Sequence, residues 1–182
     1  MSMLERVEFY NCPDGSINVK PFDAPMFVYD ESCKRITQEM IVLIRDLYPS
    51  AFKALSELYT KSQRNKDYFE YRIVHRFIRC NFGEYDALTY DINAVGELNM
   101  EDVRCPLRGE CLFEGLICRT PLNTELSPRE TEVAKLLALG YTRQEVADEL
   151  EISIFTVTRH ITNIKARLHL KTTNQIIAKF RP

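Results

Sequence analysis

Three helix starts written in one local code crowd the last third of this chain, and they limit it to a cluster of short helices. Ser127-Pro128-Arg129-Glu130 offers a hydroxyl cap, a proline at the first helical position and a glutamate three residues on. Thr142-Arg143-Gln144-Glu145 repeats the device, and Thr172-Thr173-Asn174-Gln175 gives it again with glutamine. A Ser or Thr oxygen accepts from the backbone three residues on, and the Glu or Gln bonds back to the cap, so each motif satisfies two amides the helix leaves open. The helices predicted from these starts and from apolar spacing run over 128–138, 143–150, 154–169 and 173–180, with Gly140 ending the first.

Their inward faces are Val133, Leu136 and Leu137; Val146, Ala147 and Leu150; Val157, Ile161, Ile164 and Leu168; and Ile176, Ile177 and Phe180. Connections of three to four residues force these helices onto one small core. Helix 143–150, the turn at Glu151-Ile152 and the Ser153-capped helix after it have helix-turn-helix spacing, in which the second helix reads nucleic acid. With Val157, Ile161, Ile164 and Leu168 inward, its outward face is expected to hold Thr158, Arg159, Thr162, Asn163, Lys165 and Ala166. Those small, polar or basic groups suit base edges and phosphates.

Charge supports that reading once the chain is divided. The formal net charge is −2, yet residues 121–182 hold nine Lys/Arg against seven Asp/Glu, and the first 120 hold fifteen against nineteen. No Asp or Glu follows Glu151, whereas Arg159, Lys165, Arg167, Lys171, Lys179 and Arg181 do, an electrostatic footprint for phosphates. A hydrophobic content of 45% is enough for a real core, and 182 residues make one ordinary domain or two small ones. Met1 to Tyr10 mixes charges with apolar residues, and no stretch nears the roughly 20 apolar residues of a membrane span, so the expectation is a cytoplasmic protein with no membrane partner.

The run from Leu126 to Lys179 resembles a LuxR (GerE)-type DNA-binding domain. The matches include Leu126-Ser127-Pro128-Arg129-Glu130, Glu132-Val133, Gly140, Glu145-Val146-Ala147, Leu150, Ile152-Ser153, Thr156-Val157, His160, Asn163-Ile164, Arg167-Leu168 and Asn174. The resemblance implies that helix 154–169 is the recognition helix in the major groove and that the last helix supports dimerisation. Thr158 stands where the family commonly has lysine, so the usual target preference is not carried over. Arg159 is then the candidate for a bidentate contact to guanine, with Thr162 one turn on. Thr142, Thr156, His160, Asn163, Lys165, Arg167 and Lys171 are the candidates for contacts to the DNA backbone.

The first 120 residues are a different matter. Turns and short strands are expected to about residue 30, then helices over Asp30–Tyr48, from a Ser50 cap to Gln63, and from Lys66 to Cys80, stopped at Asn81-Phe82-Gly83. One or two strands are expected around Gly96 within Leu88–Met100, and a Pro- and Gly-bearing loop over 104–123. The fold class is therefore mainly α, an N-terminal α+β domain of unknown family over 1–120 and a four-helix C-terminal domain over 121–182. The early acidic pair, strand-end aspartate and later lysine of a phosphoacceptor receiver are not laid out here, and the absence of tryptophan sits badly with an acyl-homoserine-lactone pocket.

All six cysteines precede residue 119, in a chain read as occupying a reducing compartment. Cys105, Cys111 and Cys118 share the loop, and with Cys80 at a helix end they are candidate ligands of a structural zinc or, second, of an iron–sulfur cluster. Cys12 or His75 is the alternative fourth ligand, Cys33 reads as packing, and a redox thiol pair or plain buried thiols are the competing readings. The function these features favour is a sequence-specific DNA-binding transcriptional regulator acting as a homodimer on double-stranded DNA. The alternative is a sigma-factor-like promoter module whose partner is RNA polymerase. No phosphate-binding Gly-Lys-Ser/Thr loop, His-Glu-x-x-His helix or Ser/His/Asp set is legible, so no enzyme is expected.

Overall fold

The computed structural model describes residues 4–83, 85, 89–94 and 96–181. Two compact units make up the chain, one ending at Leu122 and the other beginning at Asn123.

The first unit opens with an antiparallel meander of β1 (Val7–Asn11), β2 (Ile17–Pro21) and β3 (Phe27–Val28). The register pairs Val7 with Pro21, Phe9 with Val19 and Asn11 with Ile17, so period-two alternation puts Val7, Phe9, Ile17 and Val19 in the core. Gly15 turns the chain between β1 and β2 at a φ of 95°, and a Cβ there would lie 2.9 Å from the Arg79 guanidinium. Three helices follow: α1 (Lys34–Leu47), α2 (Pro49–Leu58) and α3 (Lys66–Asn81), with a 3-10 turn over Thr60–Ser62. Ile36, Met40 and Ile44 of α1, Leu55 of α2 and Ile73, Phe77 and Ile78 of α3 close the core against the sheet.

Four expectations for this unit are corrected. The first helix begins at Lys34, because the Asp30 carboxylate accepts from both the amide and hydroxyl of Ser32 and makes a turn there. The second helix starts at Pro49, whose fixed φ suits the first helical position, rather than after a Ser50 cap, and α2 stops at Leu58, short of Gln63. Asn81 stays inside α3 and Phe82 leaves it extended, at φ −133°, so no left-handed residue stops this helix. Around Gly96 the described residues form only single bridges, Ile92 with Val7 and with Leu98; Leu88 and Val95 lie outside the described residues.

The second unit is four helices, α4 (Pro128–Ala138), α5 (Arg143–Glu149), α6 (Ile154–Arg167) and α7 (Thr173–Phe180). All three predicted capping boxes are closed on both sides, at Ser127/Glu130, Thr142/Glu145 and Thr172/Gln175. Val133, Ala134, Leu137, Val146, Ala147, Val157, Ile161, Ile164 and Ile176 form its core. Three helices end on a left-handed residue followed by an amide that bonds back into the last turn: Gly140 with Tyr141 N to Leu136 O, Glu151 with Ile152 N to Ala147 O, and His169 with Leu170 N to Lys165 O. Among the described residues no helix is long and apolar enough to cross a membrane.

Only the first of these stops uses glycine. Glu151, at φ 52°, carries a Cβ in a region that disfavours it. Glu151→Gly is expected to stabilise the second unit by about 0.5–1 kcal/mol, the strain relieved less the entropy glycine adds to the unfolded chain. Denaturant unfolding followed by far-UV dichroism would report it as a higher midpoint.

Candidate nucleic-acid interface

The helix-turn-helix is α5, the turn through Leu150–Ser153 and α6. Ser153 caps α6 by accepting from Thr156 N at 3.1 Å, and its hydroxyl also pairs with that of Thr156 at 2.9 Å. At the other side of the turn, the Arg129 guanidinium donates to the Leu150 carbonyl, one of the acceptors α5 leaves open, and pairs with Glu132 at 2.8 Å. Thr142 is exposed but engaged: it accepts from Glu145 N, while its own N–H donates to the Glu145 carboxylate at 2.7 Å. The backbone bond from Thr142, then the side-chain bond, hold the Glu145 carboxyl below its ordinary range.

The far end of α6 is fixed by a buried ion pair. Glu130 accepts from Ser127 N with one carboxylate oxygen, and the other lies 3.4 Å from Arg167 Nε. Both residues are almost fully enclosed, at 2% and 4% exposure, and Arg167 also donates to the Glu125 carbonyl. Arg167 is therefore the fastening between the end of α6 and the start of α4.

Burial divides the predicted site. Thr142, Thr158, Arg159 and Lys171 are exposed and Thr156 and His160 half-buried, whereas Thr162, Asn163, Lys165 and Arg167 are buried. The expectation that Thr162, Asn163 and Lys165 face outward is corrected, since α6 is enclosed on every side from Ile161 to Lys165. Thr158 donates its hydroxyl to Ile154 O and Thr162 donates to Thr158 O, the back-bonding usual for a helical threonine.

One residue escaped the sequence reading. Phe155, in the first turn of α6, is 71% exposed, and it lies four residues before Arg159 on the stripe opposite the core. The signal was present: an aromatic just after the Ser153 cap and out of phase with Val157, Ile161, Ile164 and Leu168 has no core to enter. Among the described residues the Arg159 guanidinium has no ion-pair partner, so Phe155 and Arg159 form a free apolar and cationic pair on one face.

The cysteines lie in the first unit. Cys12 accepts from Asn18 Nδ2 at 3.2 Å, Cys33 donates to the Val28 carbonyl at 3.8 Å, and His75 bonds the Gly15 backbone and stacks on Tyr29. Burial pushes the Cys80 thiol up to about 11, Arg76 pulls it back, and the neighbouring thiols of Cys118, Cys105 and Cys111 push it further up. Among the described residues no group of three or more His, Cys, Asp or Glu side chains is placed so that it could hold a metal ion.

A capped helix, a tight left-handed turn and a second helix with a polar, cationic face define the second unit as a helix-turn-helix domain. Residues 124–180 match the family of bacterial regulatory proteins, luxR family, and this C-terminal domain is a LuxR-type domain. The curated relatives include the response regulator protein VraR of Staphylococcus aureus, in strains Mu3, NCTC 8325 and COL. Each is 29% identical over 119 residues, covering 60% of this chain and 55% of the relative. The chain thus spans about half the length of the curated relatives it matches. No solved structure matches.

Arg167→Ala is expected to destabilise the second unit by about 3 kcal/mol or more, because it leaves Glu130 buried without its counter-charge. Arg159→Ala should change stability by less than about 0.5 kcal/mol, as an exposed side chain with no partner. Thermal unfolding of the two variants side by side tests the division between fastening and reading residues.

Proposed function

We propose that the protein is a sequence-specific DNA-binding transcriptional regulator, with α6 lying in the major groove. The observation that carries this reading is the exposed Phe155–Arg159 stripe, with Thr158 beside it, on the second helix of a LuxR-type helix-turn-helix. Arg159 reads guanine through its two parallel donors, Phe155 packs on a thymine methyl, and Thr158 takes a base edge or a phosphate. Thr142, Thr156, His160 and Lys171 border that face and position the duplex through its backbone. Thr162, Asn163, Lys165 and Arg167 serve the reading helix from inside.

The protein works as a cytoplasmic homodimer, its two copies placing α6 in half-sites about one helical turn apart. It acts by binding rather than by catalysis, and the first unit supplies regulatory input or a partner surface. That unit's antiparallel meander followed by helices is unlike the doubly wound parallel sheet of a receiver, so the input differs from aspartate phosphorylation on such a domain.

The test is selection of a binding sequence from random duplexes, then titration at fixed salt. The protein alone, without RNA polymerase, is expected to select one motif, which separates this reading from the promoter-module alternative. Arg159→Ala should lose about 1–3 kcal/mol on that motif and relax it at one position, whereas Lys171→Ala should weaken all sequences alike and lower the salt slope by about one. Equal affinity for every duplex, or unchanged binding by Arg159→Ala, would overturn the assignment.

A further inference from the structure

The loop over 104–119 is folded against the usual preference of its residues. Its leucines face solvent, Leu112 at 93% exposure with Leu107 and Leu116 also exposed, while Cys105, Cys111 and Cys118 are drawn partly inside. Apart from a single bridge between Glu114 and Cys118 it has neither helix nor strand. Ile117 is its one fully buried apolar side chain, with Phe113 packed partly against the core. Fixing the backbone of each residue costs about 1–2 kcal/mol, and burying a fully enclosed isoleucine returns only about 1.5–3 kcal/mol. Something other than apolar burial must hold this loop in one course.

Its turns are built around the cysteines. The Cys105 carbonyl accepts from Arg108 N at 3.2 Å, Cys111 N donates to Leu107 O at 2.9 Å, and the Cys111 carbonyl accepts from Glu114 N at 3.0 Å. The loop is then tied to the end of α3. Asn81 Nδ2 donates to Ile117 O at 3.0 Å, Glu101 N donates to Asn81 O at 2.8 Å, and Asp102 holds Arg108 and Arg119 at 2.9 and 2.7 Å. Asn81 follows Cys80 and Ile117 precedes Cys118, so that one bond brings the segments carrying the two cysteines together. Asn81 thus takes the chain on both sides of Cys105 and Cys111, at Glu101 before them and at Ile117 after them.

We propose that Cys80, Cys105, Cys111 and Cys118 hold a thiophilic metal as a four-thiolate centre that fastens the 104–119 loop to the end of α3. Cys12, Cys33 and His75 are excluded as ligands by their partners elsewhere. Four thiolates suit zinc or an iron–sulfur cluster, and a zinc ion so saturated has no open position, which makes its role structural. Among the described residues the thiols form no ligand shell as they stand, and binding draws them in. Gly109 and Gly115, at φ 86° and 74° with open space around each, give the loop that freedom. Arg76 lies one turn before Cys80 on α3, and its buried Nε has no hydrogen-bond partner. Its guanidinium offsets the negative charge of the thiolates, each of which binds metal only after losing its proton.

Elemental analysis of the full chain, expressed with zinc and iron supplied and purified without oxygen or chelator, tests this directly. One zinc per chain supports a single-ion centre; iron with labile sulfide and visible absorption supports a cluster on the same ligands. Metal below about a tenth of an equivalent overturns the proposal. Cys111→Ser and Cys105→Ser should lose the metal while Cys33→Ser keeps it, and a full complement in all three would overturn the ligand assignment. Should the serine variants fail to fold, the wild type decides: chelation should speed tryptic cleavage at Arg104, Arg108 and Arg119 at least tenfold, and unchanged cleavage counts against the centre.

Discussion

The second unit depends on one carboxylate. Glu130 closes the capping box that starts α4 and opposes the guanidinium that ends α6, so one side chain joins a helix start, a helix end and, through Arg167, the backbone at Glu125. Such a pair adds little over an apolar contact of equal volume, since both charges were well solvated before folding. What it contributes is placement, because an unpaired charge in that position is costly and few other arrangements satisfy both groups. Arginine suits the position better than lysine: its fork reaches carboxylate and carbonyl together.

That placement is what lets α6 present a reading face. At its other end the Ser153 cap and the Arg129 bond to Leu150 O fix where the helix begins. A helix held at both ends offers Phe155, Thr158 and Arg159 at set positions, so the contacts proposed for them would need little further ordering on binding. Arg129, Glu130 and Arg167 all lie in the motifs through which the family resemblance was drawn, and their contacts here are structural. The residues that face outward, Phe155 and Thr158 among them, are where this chain is free to choose its own target.

Local signals made the second unit legible. Caps, a glycine stop and helical spacing are written within a few residues of where they act, and all four helices stand within two residues of their expected bounds. The site was read less well, because a helical wheel assumes one inward stripe and α6 is enclosed all round over Ile161–Lys165. In the first unit one error falls where the partner is distant and the others where a local signal has two readings. Asn81 belongs to α3 because its amide reaches Ile117, thirty-six residues on, and no window centred on Asn81 contains that bond. Ser50 was read as the cap of the second helix, but the proline before it is itself suited to the first helical position.

Burial also changes the electrostatics of the binding face. Six basic residues follow Glu151 in the sequence, but Lys165 and Arg167 are buried, which leaves Arg159, Lys171, Lys179 and Arg181 facing solvent, with Lys135 and Arg143 of the earlier helices also exposed. Each neutralised phosphate contributes about −0.9 to the slope of log affinity against log salt, so one copy of this domain commands a slope of no more than about −5 even if every exposed cation meets a phosphate. A regulator competing with a genome of non-specific sites gains from more than that. Two copies on paired half-sites double the phosphate contacts and add the two sets of base contacts together. The exposed charge of one copy is therefore the physical reason for proposing that two copies bind together.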